Sequence, residues 1–116
     1  MAIRIDGYSF GKITIDGKQY VSDLIIYPDR VDDKWWRQEG HLLQMEDLEE
    51  VFASKPVVLI VGQGQPGLMK VDPKVETYCH QNNIKISITP TEQAVEEFNR
   101  STGTKEKVIA CLHLTC

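Results

Sequence analysis

The pattern of hydrophobic and polar positions changes character near residue 56, and each half of the chain predicts a different kind of structure. In the first half, residues 3–5, 13–15 and 20–27 are short runs rich in β-branched and aromatic side chains, which favour β-strands. Asp16-Gly17 separates two of these runs and is a residue pair that tight hairpin turns prefer. The N-terminal segment is therefore predicted to contain a β-hairpin.

The middle of the chain has a weaker pattern. Residues 30–43 are expected to be extended, because their aromatic and polar side chains show no helical period. Residues 46–54 are expected to form a helix, which Lys55-Pro56 would end. The apolar side chains that recur at helical spacing in it are Leu48, Val51 and Phe52.

The second half predicts strands that alternate with helices. Residues 57–61 are a continuous apolar run, as in a strand buried on both faces of a parallel sheet. A helix is predicted from Asp72-Pro73 to about residue 81, since aspartate is a good N-cap and proline suits the first helical position. Residues 84–88 alternate as a second strand, and residues 108–114 form the last one.

The second helix of this half is predicted to begin at Thr89-Pro90-Thr91-Glu92, which has the form of a capping box with Thr89 as the N-cap. Strands and helices that alternate in this way pair in parallel. The predicted fold class is α/β, with the N-terminal hairpin segment packed on a βαβαβ parallel-sheet unit.

A glycine-rich turn, Gly62-Gln63-Gly64-Gln65-Pro66-Gly67, follows the buried strand and matches the GxGxxG pattern of dinucleotide sites. The next helix, however, does not open at the third glycine, and its N-cap Asp72 would repel a phosphate. The following strand also lacks an acid that could hold a ribose hydroxyl. The turn is therefore predicted to be structural, and no cofactor is expected. Another small ligand at this sheet edge would meet Trp36, His41, Gly62, Gln63, Gly64, Gln65 and Lys70.

Composition and charge restrict the class of protein. A chain of 116 residues with 41% hydrophobic and 26% charged residues fits one domain, residues 1–116. A net charge of -4 argues against binding to nucleic acid or to an anionic membrane surface. The N-terminus has no secretory or mitochondrial targeting pattern, so the expected compartment is the cytoplasm.

The cysteines and histidines give no clear catalytic or metal site. Cys79 and His80 are adjacent on a predicted helix and diverge by about 100°, so they cannot easily share an ion. Cys111 or Cys116 could pair with His113 as a nucleophile, but strand cysteines are usually buried small hydrophobes. We expect no metal and no catalytic residue, and the balance is against an enzyme. A redox-sensitive Cys116 is a weaker alternative.

Trp35-Trp36-Arg37 places two tryptophans in a polar segment, where each ring must be buried or offered to a partner. We expect one ring to pack in the core and the other to be exposed. An exposed tryptophan favours a protein interface. The edges of the N-terminal hairpin also make a homodimer possible.

The order of several motifs resembles the Mth-type domain family of unknown function. The C-terminal stretch from Thr89-Pro90-Thr91-Glu92 through residue 99, with His113-Leu114-Thr115-Cys116, carries much of this likeness. Other matching features are Ser9-Phe10-Gly11, the Trp36 and Gly40-His41-Leu42 segment, and Val61-Gly62-Gln63-Gly64 followed by Gly67-Leu68. The family includes the adipogenesis-associated Mth domain-containing protein and a mitochondrial complex I assembly factor.

This resemblance implies a three-layer β/β/α Mth-like fold and little chemistry. Family members with a role act as assembly or regulatory factors through protein contacts, and no established catalytic residue can be carried over. Gly62-Gln63-Gly64 stands where many members have Gly-Thr-Gly, so a role for a hydroxyl group there cannot be carried over. The expected function is an accessory or assembly protein that binds another protein. The alternative is a small-ligand-binding domain or minor enzyme with its site near the glycine-rich turn.

Overall fold

A computed structural model describes residues 3–116 of the chain. Within these residues the chain forms ten β-strands, three α-helices and a 3-10 helix, Met45–Leu48. None of these helices is both long enough and apolar enough to pass through a membrane. The strands are β1 (Ile5–Ser9), β2 (Lys12–Ile15), β3 (Lys18–Tyr20), β4 (Leu24–Ile26), β5 (Val31–Asp32), β6 (Leu42–Leu43), β7 (Val58–Gln63), β8 (Lys70–Val71), β9 (Lys85–Thr89) and β10 (Val108–His113). The α-helices are α1 (Glu49–Ala53), α2 (Pro73–Gln81) and α3 (Thr91–Ser101).

The central sheet has five strands in the order β5-β4-β10-β7-β9. Strands β10, β7 and β9 are parallel to one another, whereas β4 is antiparallel to β10. Residues 58–61 of the predicted run are buried in β7, which has a parallel neighbour on each side, whereas Val57 precedes the strand and is exposed. This arrangement confirms the predicted parallel unit.

Hydrophobic residues cover both faces of the central sheet, which produces the three layers expected for the fold. On one face, side chains of β7 and β10 pack against α1 and α2, with Val51, Phe52, Val75 and Cys79 in the contact. On the other face, alternate residues of the same strands pack against β1, β2 and α3, with Ile5, Ile13, Ala94 and Phe98 in the contact. The Mth-like α/β fold is therefore confirmed, with α3 beside the N-terminal strands.

The predicted hairpin at Asp16-Gly17 is also confirmed. Ile15 of β2 pairs with Lys18 of β3, so the loop contains only these two residues. Asp16 has φ 48° and Gly17 has φ 81°, which is the pair of positive φ angles that a type I′ turn requires.

Residues 20–27, predicted as one strand, belong to two different sheets. Tyr20 pairs with Ile13 in the three-stranded sheet of β1, β2 and β3, whereas Leu24 pairs with Leu112 of β10. The chain passes from one sheet to the other at residues 21–23, where Asp23 is hydrogen-bonded to the end of β10. The single-strand prediction was wrong because this long-range contact interrupts the strand.

The predicted helix over residues 46–54 starts as a 3-10 helix and becomes α-helical only at Glu49. The carboxylate of Asp47 accepts a hydrogen bond from the backbone N–H of Gln44, and its carbonyl accepts one from the indole of Trp35. These contacts tie the first turn to residues outside the helix, and short 3-10 turns of this kind are frequent at helix N-termini. Within residues 30–43, predicted to be extended, only the two-residue strands β5 and β6 form, and the rest of this segment is irregular.

The N-terminal caps of the two longer helices differ from each other. Asp72 caps α2 as predicted, with its side chain accepting from the backbone N–H of Lys74 at 3.0 Å. The capping box predicted at Thr89 is wrong: the N-cap of α3 is Pro90, and the hydroxyl of Thr89 is buried without a hydrogen-bond partner. Thr89 is the last residue of β9 and is paired with Gly62, so it is not in position to cap the helix.

Candidate functional site

The candidate site lies at the end of the central sheet where the parallel strands β7, β9 and β10 have their carboxyl ends. In the description of this site, the sheet edge means this end of the sheet and not an outer strand. His113 is the last residue of β10 and is in register with Gln63, the last residue of β7. Because β4 runs antiparallel to β10, Asp23 just before β4 falls at the same edge. Open α/β sheets bind ligands at the carboxyl ends of their parallel strands. The last residue of β10 and the three residues after it, 113–116, are called segment 113–116 below.

Asp23, Arg37 and His113 form a compact group that we call the Asp23 cluster. Oδ2 of Asp23 lies 2.7 Å from Nδ1 of His113 and 2.8 Å from Nη2 of Arg37. The other carboxylate oxygen accepts the backbone N–H of Leu114 at 2.8 Å. Arg37 also donates to the carbonyl of Gly40 at 2.9 Å. The cluster therefore joins three distant parts of the chain.

The charge of Asp23 is stabilised by its partners. Burial alone would raise the pKa of this carboxyl group, but the hydrogen bonds from His113, from the N–H of Leu114 and from Arg37 outweigh it. The net result lowers the pKa of Asp23 from 3.8 to about 2. The side chain of Arg37 is only 6% exposed, so this carboxylate is the counter-ion of a guanidinium that water hardly reaches.

His113 has its other ring edge turned away from Asp23. Its Nε2 atom is buried and has no hydrogen-bond partner among the described residues. The ring of His41 lies against it edge-to-face, with the two ring centroids 5.9 Å apart. Nε2 of His41 is in turn 4.0 Å from Sγ of Cys116. An imidazole held by a carboxylate at Nδ1 with a free Nε2 is an arrangement that can accept or deliver a proton.

The glycine-rich turn is packed against the chain itself. Three backbone N–H groups in or directly after the turn are used internally: Gly64 donates to the hydroxyl of Thr91 at 2.8 Å, Gln65 to the carbonyl of Thr115 at 2.9 Å and Leu68 to the carbonyl of Cys116 at 3.1 Å. Gly64 has φ +91°, and a Cβ atom there would lie 2.1 Å from the oxygen of Thr115. These contacts support the structural interpretation of the turn, since these three amides are not free to hold a phosphate.

The residues predicted to contact a ligand are distributed around this edge. His41 and Lys70 are joined because the N–H of Lys70 donates to the carbonyl of His41 at 2.8 Å, where β6 pairs with β8. The side chain of Gln63 donates to the carbonyl of Met69, and Gly62 lies against Thr91. Gln65 and Trp36 are exposed. That these residues bind a ligand stays a prediction.

The two tryptophans divide as expected. Trp35 packs against the core and donates its indole N–H to the carbonyl of Asp47 at 3.0 Å. Trp36 is 73% exposed. Its neighbour Arg37 turns inward to the Asp23 cluster, so the exposed ring stands on a fixed stretch of backbone.

The three thiols are free and differ in their surroundings. Cys79 and Cys111 are buried, and burial raises the pKa of both, to about 11 for Cys79. Cys116 is only partly buried and lies next to His41. Over residues 3–116, no group of three or more histidine, cysteine or acidic side chains is arranged to hold a metal ion.

Asp23 and Arg37 were not predicted from the sequence to be partners of His113. The one available signal was Asp23 itself, since aspartate is depleted in strands and this one interrupts an apolar run. Nothing local connects it with residues 14 and 90 positions further along the chain.

Solved structures share this fold. A conserved hypothetical protein from Pyrococcus horikoshii is 27% identical, with 97% of this chain and 99% of that chain covered and a TM-score of 0.82. A protein from Bartonella henselae described as an outer membrane protein is 20% identical, with 99% and 97% covered and a TM-score of 0.81. An Mth938-like domain from Bordetella pertussis is 14% identical, with 96% and 85% covered and a TM-score of 0.62. At these identities the last two show the fold alone.

The family is shown by a match over residues 5–113, which include every strand of the central sheet, all three α-helices and the whole Asp23 cluster. The Mth-type resemblance seen in the motifs is thereby confirmed. The chain belongs to the family described as protein of unknown function (DUF498/DUF598).

Proposed function

We propose that this protein is an accessory or assembly protein that binds another protein through the surface around segment 113–116. The observation that carries the proposal is where the exposed large hydrophobic side chains lie. Residues 3–116 contain five exposed large hydrophobic side chains. Four of them belong to, or lie within two residues of, a residue that is hydrogen-bonded to segment 113–116, and the exception is Val57. The other four are Phe10, Val21, Trp36 and Leu68.

Each of the four is tied to the segment by a separate contact. Phe10 precedes Gly11, whose N–H donates to the carbonyl of Leu114 at 2.8 Å, and the N–H of Leu68 itself donates to Cys116. Val21 lies two residues before Asp23 in the sequence, and Trp36 directly precedes Arg37; both Asp23 and Arg37 belong to the Asp23 cluster. Four separate stretches of chain, each with an exposed apolar side chain, thus meet at segment 113–116.

An apolar surface of this kind gains free energy when a partner covers it, at roughly 25 cal/mol for each Å² of apolar surface removed from water. Tryptophan is enriched among the residues that dominate binding energy at protein interfaces. The Asp23 cluster supports this role, because it fixes the backbone next to Trp36 and Val21 before binding. A preorganised surface loses less conformational entropy on binding.

The proposal is tested by site-specific photo-crosslinking in a lysate of the source organism. A photoreactive amino acid at position 36 should capture a protein that the same group at position 57 does not capture. Once that protein is purified, Trp36→Ser should weaken its binding at least tenfold, whereas Val57→Ser on the opposite edge should leave it unchanged. Recovery of no partner, or equal capture from both positions, would refute the proposal. Capture of this chain alone would make the surface a homodimer interface instead.

A second candidate function, a small-ligand-binding site or minor enzyme, is favoured by the unpartnered Nε2 of His113, by the ring of His41 that lies against His113, and by Cys116 next to His41. Those groups could bind or deprotonate a small polar molecule. The test is a thermal-shift screen against nucleotides, phosphates and carboxylates. A compound that stabilises the protein, but not the His41→Ala variant, would support this function, and a screen without any stabilising compound would reject it.

The compartment proposed for this protein is the cytoplasm. Its support is that Cys79, Cys111 and Cys116 are all free thiols, which fits a reducing environment. Fluorescence microscopy of the tagged full chain in its source organism would check this.

A further inference from the structure

Strand β9 (Lys85–Thr89) is the outer strand of the five-stranded sheet, with β7 as its neighbour on one side. The N–H of Lys85 donates to the carbonyl of Val57 at 2.9 Å, so the backbone groups of Lys85 face inward. Since hydrogen-bonding groups alternate in direction along a strand, those of Ile86 and Ile88 face outward. Within residues 3–116 neither Ile86 nor Ile88 has a backbone hydrogen bond on that side.

Ile86 and Ile88 each present one N–H and one C=O group on the outer side of β9. An additional extended chain can form β-sheet hydrogen bonds with groups that are spaced in this way. The residue just before the strand shows the contrast, since the N–H of Ile84 already donates to the carbonyl of Cys79 at 2.8 Å. The open part of the edge therefore begins at β9 itself.

Space for the side chains of an added strand exists on the α2 side of this edge. An open groove of about 500 Å³ runs between α2 and β9 and is lined by Glu76, Thr77, His80, Ile84 and Ile86. The apolar part of its lining comes from Ile84, just before β9, and from Ile86 within it, and the polar part comes from the helix. Side chains directed into this groove would meet isoleucine and then a carboxylate.

The opposite face of the edge also carries a carboxylate. The hydroxyl of Ser87 donates to Oε1 of Glu97 on α3, which places this acid beside the middle of β9. The edge thus has Glu97 on one face and Glu76 on the other, while Lys85 stands at the beginning of the strand. A cation in a partner strand would be attracted at the position opposite Ser87.

We propose that the edge of β9 binds an extended segment of another protein that carries a lysine or arginine opposite Ser87. Its backbone pairs with Ile86 and Ile88, and its basic side chain lies beside Glu97. This surface is separate from the one around segment 113–116, so the two proposals stand or fall independently.

A second copy of the chain is a poorer occupant on electrostatic grounds. Antiparallel pairing of two β9 strands around Ser87 would place Ile86 opposite Ile88 of the other copy. It would also bring the two Glu97 carboxylates together near the symmetry axis, and like charges directly opposite each other are destabilising. The carboxylate that attracts a basic segment therefore opposes self-association.

The experiment uses two blocked pentapeptides, Thr-Val-Lys-Val-Thr and Thr-Val-Glu-Val-Thr, titrated into the isotope-labelled full chain. The lysine peptide should shift the NMR signals of the Ile86 and Ile88 amides with millimolar affinity or better, and the glutamate peptide should bind several-fold more weakly. Glu97→Gln should remove most of this preference, whereas Glu106→Gln in an exposed loop should not.

A backbone variant tests the pairing itself. Ile86→Pro removes an outward N–H without loss of a sheet hydrogen bond, so it should abolish binding of the lysine peptide, while Ile86→Val should retain it. If Ile86→Pro does not fold, the peptide pair and Glu97→Gln still decide the question. Equal binding of both peptides, or no shift at Ile86 and Ile88, would overturn the proposal. So would a dimer of the wild-type chain in sedimentation that Ile86→Pro converts to monomer, because a second copy would then occupy the edge.

Discussion

Asp23 and His113 are 90 residues apart in the chain, and the carboxylate of the first lies 2.7 Å from the imidazole Nδ1 of the second. The same carboxylate pairs with Arg37, whose side chain is almost completely buried. One acid thus fixes the start of β4, the stretch next to Trp36 and the end of β10. The surface proposed to bind a partner depends on this acid for its shape.

Asp23→Asn is expected to lower the free energy of unfolding by about 3 kcal/mol, because it leaves the buried guanidinium of Arg37 without its counter-ion. The matched control is Asp29→Asn, which breaks an ion pair with Arg30 in which both side chains are largely exposed. Its loss should stay below about 1 kcal/mol. Urea denaturation at neutral pH measures both variants. Equal losses would show that the Asp23 cluster does not stabilise the fold in this way.

The same ion pair predicts a dependence of stability on acid pH. The pKa of Asp23 is lowered from 3.8 to about 2, so the folded protein holds this carboxyl group ionised more strongly than the unfolded chain does. The stabilisation is complete above the unfolded pKa and is lost as the pH falls through the folded one. The difference in Tm between wild type and Asp23→Asn should be constant above about pH 5 and shrink toward pH 2. A difference that does not change over this range would contradict the assigned pKa.

Local sequence patterns predicted those parts of the fold in which the pattern itself determines what the segment packs against or pairs with. The apolar run of β7 requires cover on both faces, and the Asp16-Gly17 turn fixes its own register. Breaks that depend on distant residues were missed. Asp23 divides residues 20–27 because it is bound to the end of β10, and Trp35 occupies the carbonyl of Asp47 where a regular helix was expected.

The candidate site, like the fold, was predicted only in part from the sequence. The carboxyl ends of parallel strands converge, so the glycine-rich turn could be placed at one edge from the sequence alone. His41 reaches that edge through pairing of β6 with β8, two strands of only two residues each, for which the sequence has no clear signal. Arg37 and Asp23 were not recognised as a pair, because no spacing rule connects ion-pair partners across a fold.

Gly64→Ala is expected to be far more destabilising than Gly17→Ala. Both glycines have positive φ, so each alanine incurs a backbone cost of about 1–2 kcal/mol. At Gly17 the new methyl group meets nothing within 4 Å, whereas at Gly64 it would lie 2.1 Å from the oxygen of Thr115. Overpacking should add about 1–3 kcal/mol for Gly64→Ala. Thermal unfolding of the two variants checks this, and similar Tm values would mean that the turn does not press on segment 113–116.

Alkylation kinetics should separate the three thiols. Cys79 and Cys111 are buried with raised pKa values, and at about 11 the Cys79 thiol would have a thiolate fraction on the order of 100-fold below that of a free cysteine. Cys116 is only partly buried. Iodoacetamide at pH 8 should therefore modify one thiol of the native protein quickly, and all three once the chain is unfolded in guanidinium chloride. Cys116→Ser should abolish the fast phase and leave the slow reactions unchanged. If all three native thiols react slowly and at similar rates, Cys116 is shielded, and a redox role for it is dismissed.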